Sequence, residues 1–532
     1  MAADGTTYYL TTPIYYVNDA PHIGHAYTTL ACDVMARFKR LDGYDVHFLT
    51  GTDEHGQKVA QSALAAGTDP QAFTDTVSQN FRDLARVMNF SNDDFIRTTE
   101  ERHLHACQAL WRALRDNGHI YLGKYAGWYA VRDEAYYAES ELAAGPDGTR
   151  LAPSGAAVEW VEEPSYFFDL SEWQDRLLAF YDDNPDFILP ETRRNEVITF
   201  VRGGLNDLSI SRTSFEWGVP VPDDPNHIIY VWLDALTNYL TALGYPNQNT
   251  LLYSKHWPSD LHMVGKDILR FHAVYWPAFL MGAGLEVPKR VFAHGWWTNE
   301  GEKISKSLGN IIDPVALVER YGLDQVRYFL LREVPFGNDG DFSHRAMIGR
   351  INADLANDLG NLAQRVLSMI AGNCGGKVPD PGQRAGIEEL AVYGSLVSAQ
   401  GMLARVREAM DRQAFHGALD VIWQVVREAN RCVDADAPWA LRKSDPERMA
   451  AVLYVLAEVI RHLAIMLRPF MPVCCDRLLD QLAVPKEARN FAALSPGDQV
   501  TGGNSLTPGT ALPKPEGIFP RFTEEREEGA RA

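Results

Sequence analysis

YYLTTPIYYVNDAPHIGHAYTTLACDVMARFKRLDG, residues 8–43, changes its period part-way along. Thr6 to Tyr16 is rich in β-branched and aromatic residues and predicts a strand. From Tyr27 on, Leu30, Ala31, Val34, Phe38 and Leu41 recur at helical spacing, and Val46 to Thr50 reads as a second buried strand. A β-α-β unit of this kind predicts a parallel sheet with ligands at the C-terminal ends of its strands. Pro13 to His25 and Gly51 to His55 both fall at such ends, so both are expected to face one cleft.

Further along, the helical rhythm gives way after Gly118 to short aromatic segments, a GPDG turn at 145–148 and a Pro-rich exit, VPVPDDPN. This predicts an inserted domain. Strand and helix signals resume at 227–240 and 260–280, as if the sheet were being completed. From Ile351 the positions Leu355, Leu359, Leu362, Val366, Met369 and Ile370 mark one helix face, and long periodic helices follow at 386–411, 414–433 and 447–470. The tail from Ser495 has too little apolar content to fold alone, although GIFPRF at 517–522 can dock.

The bulk numbers suit that division. At 532 residues the chain is too long for one core, and 46% apolar with 23% charged residues is the composition of a soluble globular protein. The six cysteines form neither a C-x-x-C pair nor a disulfide framework, which predicts a reduced, cytoplasmic chain. No basic start leads into an apolar run, and the apolar stretch 451–473 is broken by Glu458, Arg461, His462 and Arg468, so neither secretion nor a membrane span is expected. A net charge of -20 argues against sequence-blind nucleic-acid binding over the whole surface, and DNA is not expected as a partner. A local basic track remains compatible with it.

His22 and His25 lie three apart around Gly24, at the first turn of a helix whose N-terminus favours anions. Taken alone they serve a cap or a packed pair as readily as a triphosphate. GEKISKSLGN, residues 301–310, places Lys303 and Lys306 in a polar loop, where they can follow charge developing on a leaving pyrophosphate or simply be solvated. The two motifs together, H-I-G-H after the first strand and K-I-S-K-S after a split α/β domain, give the chain a resemblance to class I aminoacyl-tRNA synthetases. Within that class TTPIYYVNDAPHIGHAY, FLTGTDEHG, YVWLDALTNY, GKDILRFHAVYWPA, AHGWW, KISKS, NLAQR and DADAPW are similar to the methionyl family, from about Tyr8 to Phe470.

The resemblance implies an α/β Rossmann-like catalytic domain with a parallel sheet, split by an inserted connective domain, and then an all-α anticodon-binding bundle. The expected divisions are 1–117 and 227–290 for the two catalytic halves, 118–226 for the insertion, 291–344 for a stem-contact region bearing KISKS, 345–494 for the bundle and 495–532 for an extension. It implies activation of L-methionine by ATP, with Mg2+ accompanying the nucleotide, and transfer to elongator and initiator methionine tRNAs. His22, His25 and Lys306 are the implied catalytic residues. Gly24, Arg212, Gly265, Asp267 and Lys303 join them around ATP, with Asp267 suited to the ribose hydroxyls or, on a simpler reading, to a helix N-cap.

Asp53 is the implied partner of the α-ammonium. Ile14, Tyr16, Trp232, Ala235, Tyr239, Phe271, His272 and Trp276 match the methionine pocket, with Tyr239 and His272 offering weak polar contacts to sulfur. Such a pocket distinguishes a methylene by only about 1–3 kcal/mol, so homocysteine is expected to need editing, which the resemblance implies takes place in the synthetic site. Asn361 and Arg365, four apart on one helix face, and Trp439 after a proline are the implied anticodon readers; from the residues alone a salt-bridged surface and a helix-junction Trp fit equally well.

Many relatives hold the insertion with paired cysteines on zinc, but no cysteine occurs between Cys107 and Cys374, and Ala130 and Asp133 stand where a C-x-x-C would. No metal ligands are assigned and no zinc is expected; Tyr136, Tyr137 and Trp160 are candidates to hold the region by packing. A monomer is expected. An insertion of this size is too short for the leucine, isoleucine and valine enzymes, and the cysteine enzyme's zinc ligands are missing. A small-molecule nucleotidylyltransferase would not need the helical half, and a silent RNA-binding paralogue would have lost His22, Asp53 or Lys306.

Overall fold

The computed structural model describes residues 5–17, 20–133, 135–145, 148–303, 311–494 and 504–523. They form two compact units, one from 7–32 and 46–294, the other from the residues before 7 and 33–45 with the residues from 295 onward.

The first unit is built on a seven-stranded sheet: β1 (Thr7–Thr11), β2 (Tyr15–Tyr16), β3 (Asp45–Asp53), β4 (Asp94–Arg97), β5 (Ile188–Leu189), β6 (Leu261–Gly265) and β7 (Val291–His294). The order is β5-β7-β6-β1-β3-β2, with β4 also on β3. Parallel registers join β1 to β6, β6 to β7, β7 to β5, and β3 to both β2 and β4. The chain leaves β1 towards β3 and returns to its other side as β6, so the sheet reverses direction between β1 and β6. A crevice opens at the strand ends of such a point. Eight consecutive residues of β3 are buried, as a strand covered on both faces requires. Gly51 allows β3 and β4 to meet, since a Cβ there would stand 2.0 Å from the Ile96 carbonyl oxygen.

The expected insertion 118–226 is not one block. Strands 120–130 and 159–168 pair antiparallel over their whole length, with 135–137 and 208–209 completing a separate four-stranded sheet. Between its third and fourth segments, however, β5 pairs with β7 in the main sheet. A two-residue strand carries no periodicity that a sequence reading can use.

Where a zinc knuckle was absent, Asp133 takes the centre: its carboxylate accepts from the Tyr137 hydroxyl at 3.0 Å and from the Ser154 hydroxyl, while Arg132 reaches the Ser154 carbonyl at 2.6 Å. Trp128 and Trp160 meet edge to face across the ribbon at 5.3 Å, with Arg150 over Trp128 at 4.6 Å.

The second unit contains helices whose apolar faces interlock. Among these are Asn361–Asn373, Ala391–Asp411, Phe415–Asp436 and Pro446–Leu467. Pro446–Leu467 has a mean hydropathy of 1.9 and is long enough to cross a membrane, yet 94% of that window is buried in the bundle. Its interrupting charges are paired, Arg461 donating to Glu458 at 3.0 Å. The expected boundary at 344/345 does not separate units, because residues from 295 to 344 cluster with the bundle.

Two outlying segments close this unit. Residues 33–41, the second half of helix α1 (Ile23–Leu41), are clamped by Arg327 to Asp33 at 2.6 Å and Lys39 to Asp411 at 2.8 Å, and Arg407 grips Asp42. The segment 504–523 lies along the helices: Asn352 exchanges two hydrogen bonds with the Phe522 backbone, Gln481 two with Glu516, and Leu506, Ile518 and Phe519 are buried.

Candidate active site

The helix start at 22–25 follows β1 and β2, and there the two histidines stack, ring centroids 3.9 Å apart at 28°. The Gly24 N–H donates to His22 Nδ1 and the His22 N–H to His25 Nδ1, both at 3.1 Å. Each Nδ1 is therefore an acceptor, and the neutral ring carries its proton on Nε2. Burial pushes the His22 pKa down, partly opposed by Asp267, and pushes that of His25 well down, helped by His22. At neutral pH the motif offers two uncharged N–H donors, which suits an anion already accompanied by cations. Gly24 has a nearer reason than ligand access: a Cβ would stand 2.9 Å from His22 Cε1.

Across the crevice, β6 ends at Gly265 and the chain turns through Lys266–Ile268. Gly265 holds the N-cap position, so the N-cap reading of Asp267 fails; its carboxylate is exposed at the crevice. Beyond it, Phe271–Tyr275 is π-helical. Pro277 has no N–H for the Ala273 carbonyl, and the Tyr181 hydroxyl takes that carbonyl at 2.6 Å. The widened turn brings Phe271 flat against Trp232, centroids 3.6 Å apart at 6°.

Trp232 opens helix α3 (Val231–Thr241; helix α2, Glu101–Asp116, packs beside it). Ala235 and Tyr239 follow on its face, buried with Trp276. Ile14, Tyr16, Trp232 and Phe271 are half-buried and border open space. Tyr239 and His272 bond to each other at 2.7 Å, and His272 Nδ1 lies 2.9 Å from the Ile268 carbonyl. That carbonyl only accepts, so Nδ1 carries the proton, and burial pushes the His272 pKa down to about 4, leaving the ring neutral. Nε2 must then accept the Tyr239 proton. The expected polar contact from His272 to sulfur is thus corrected: both its ring nitrogens are committed.

Asp53 is buried at the end of β3, beside Tyr16 of β2. Its neighbour Glu54 is structural, gripped by Arg97 at 2.7 and 2.9 Å and by Thr52 and Thr99. Arg212 is placed elsewhere than expected. It is buried between the insertion and the start of the second catalytic half, against Tyr230 at 4.4 Å, Tyr136 at 4.6 Å and Tyr129 at 5.8 Å, donating to Ser209 and the Ser211 carbonyl. Cation–π packing on these three rings accounts for its burial. Lys306 lies outside the described residues; Lys303 is in a short strand beside Thr298, its side chain outside them.

In the second unit Asn361 is exposed at a helix start, and Arg365 one turn on pairs with Asp434 at 2.9 Å and lies 5.4 Å from the ring of Trp439, which is 49% exposed. Ala437 adopts a left-handed φ of 40°, turning the chain so that Pro438 starts a new helix and Trp439 faces outward.

Residues 8–367 match the family described as tRNA synthetases class I (M), and residues 378–532 match the anticodon binding domain of methionyl tRNA ligase. The chain belongs to the methionyl-tRNA synthetase family. A methionine–tRNA ligase of Brucella suis is 58% identical over 521 residues, covering 98% of this chain and 99% of that protein. A solved Mycobacterium tuberculosis methionyl-tRNA synthetase in complex with methionyl-adenylate has a TM-score of 0.93 at 55% identity, over 97% of this chain and all of that one; its apo form scores 0.87 at 51%. As a member of the family the chain is an ATP-using ligase that charges tRNA with methionine.

Four residues around the crevice, His294, Thr28, His262 and Thr11, escaped the sequence reading. His294, at the end of β7, lies 2.7 Å from Thr28, whose hydroxyl also reaches the Gly24 carbonyl. His262 stacks on Tyr239 at 4.1 Å and meets Thr11 at 2.7 Å. AHGWW was a visible motif, but nothing in one sequence says that His294 lies against the H-I-G-H helix.

Proposed function

We propose that His22, Gly24, His25, Gly265 and Asp267 hold ATP across the crevice between β1 and β6, while Asp53 takes the methionine ammonium and Ile14, Tyr16, Trp232, Ala235, Tyr239, Phe271, His272 and Trp276 form the side-chain pocket. The observation that carries this reading is the pair of Nε2–H donors at His22 and His25 facing a crevice whose opposite lip bears Asp267. The methionine carboxylate attacks the α-phosphorus, the bond to the bridging oxygen breaks, and pyrophosphate leaves. The histidines donate to phosphate oxygens without adding charge, and Asp267 accepts from the ribose diol. Mg2+ comes with the nucleotide, neutralising phosphate charge.

A homocysteine thiol can donate to the Tyr239 oxygen, a bond the thioether cannot make, so the pocket offers homocysteine compensation for its missing methyl. That supports editing in the synthetic site. The Asp133 cluster supports a zinc-free insertion. We further propose a cytoplasmic monomer that reads initiator and elongator methionine tRNAs through Asn361, Arg365 and Trp439.

The test is amino-acid-dependent ATP/pyrophosphate exchange over all twenty amino acids, in excess magnesium with a zinc-selective chelator and no tRNA. Exchange with methionine alone is expected; loss of exchange on chelation overturns the zinc-free site. Trp439→Ala should leave exchange unchanged and weaken tRNA charging by about 10–100-fold, the worth of one stacked base.

A further inference from the structure

Asp234 is fully buried on α3, between two histidines from distant parts of the chain. Its Oδ2 lies 2.7 Å from Nδ1 of His55, two residues beyond Asp53, and its Oδ1 lies 2.7 Å from Nε2 of His103 on α2. His103 Nδ1 meets Thr241 at 3.0 Å, one further point of contact with α3. Cys107 fills the remaining side, its sulfur 3.1 Å from His103 Nε2 and 3.7 Å from Asp234 Oδ1. The spacing is that of hydrogen bonds: nitrogen and oxygen ligands on a tetrahedral zinc would stand about 3.3 Å apart. Burial opposes ionisation of Asp234, but His55 and His103 overcome it and hold its carboxyl well below the usual range. His55 is braced in turn, edge-on to Trp217, whose indole donates to the Glu54 carbonyl at 2.6 Å.

These contacts join two halves of the amino-acid site. Asp234 and Thr241 are seven apart and share a face of α3, while Trp232, Ala235 and Tyr239 occupy the neighbouring face. At the other end, His55 rides on the strand exit that carries Asp53. We propose that Asp234 is a positioning residue which, through His55 and His103, fixes the reach of the pocket from Asp53 to the α3 wall and so matches it to a side chain of methionine's length. The proposal rests on the assignment of Asp53 to the ammonium and of α3 to the side chain.

The experiment compares the full-length wild type with Asp234→Asn, which keeps the volume and loses the charge, and with His55→Gln, which removes one partner nearer the surface. Exchange kinetics are measured for methionine and for ethionine, one methylene longer, with ATP KM, the active fraction by site titration, and Tm recorded alongside. The expected result is a methionine KM raised at least tenfold, a methionine-to-ethionine kcat/KM ratio reduced at least fivefold, and an ATP KM within twofold of wild type. An unchanged ratio in the folded variants, whether Tm and active fraction fall or not, overturns the proposal in favour of a merely structural network. Should Asp234→Asn fail to fold, the same ratio in His55→Gln decides. Failure of the wild type to exchange with methionine would instead refute the underlying site assignment.

Discussion

A Cβ on Gly265 would stand 2.5 Å from Asp267 Oδ1, although its φ of -69° is open to any residue. The glycine is there for the carboxylate. Gly265→Ala must push the exposed Asp267 carboxylate aside, so ATP KM should rise roughly tenfold in exchange assays with methionine KM unchanged. The buried histidines give a second expectation. His25, His262 and His272 all have pKa values lowered in the fold, that of His272 to about 4, because burial disfavours the cation. The unfolded chain then binds more protons between pH 4 and 6.5, so stability is fully present above pH 6.5 and is lost as pH falls through that window. Melting followed from pH 7.5 to 4.5 should show Tm flat at first and then falling; a Tm rising on acidification would contradict it. Residue types were legible here and partners were not. His22, Asp53 and Tyr239 could be picked out by chemistry, whereas Arg212 looked like a phosphate ligand because nothing in SISRTSF announces the three tyrosines that enclose it.

Among elements, the long periodic helices and the first β-α-β unit could be read directly, because a repeated apolar face over many residues leaves few alternatives. Short elements resisted. β5 is two residues long, and its membership of the main sheet depends on β7, some hundred residues away. The antiparallel ribbon of the insertion was anticipated only as aromatic segments, yet its stabilising cluster uses Asp133, Ser154 and Tyr137. Asp133→Ala removes those hydrogen bonds, each worth about 1 kcal/mol net. Hydrogen exchange should accelerate across 120–168 while the main sheet is unaffected, and added zinc should not restore protection. Equal protection in the variant would show that the tryptophan pair alone suffices.

At the scale of the molecule, the family architecture was visible from motif order and the docking of GIFPRF was anticipated, but the part played by Leu506 and Glu516 in the same segment was not. That segment is Pro- and Gly-rich, and its order comes from backbone hydrogen bonds to Asn352 and Gln481 and from burying Leu506, Ile518 and Phe519. A chain ending at residue 503 should melt several degrees lower in the helical unit, by about 2–4 °C per kcal/mol lost for a unit of this size, while tRNA-independent exchange persists. Loss of exchange in a truncation whose first unit remains folded would contradict that separation. The same unit draws on residues 33–45, made early in synthesis, and on 504–523, made late. A ribosome must therefore hold the second half of α1 without its long-range partners, Arg327 for Asp33 and Arg407 for Asp42, until most of the message has been read. A product abandoned short of residue 504 carries an unsealed apolar bundle that chaperones and proteases can recognise, so the fold distinguishes finished from unfinished copies before any tRNA is charged.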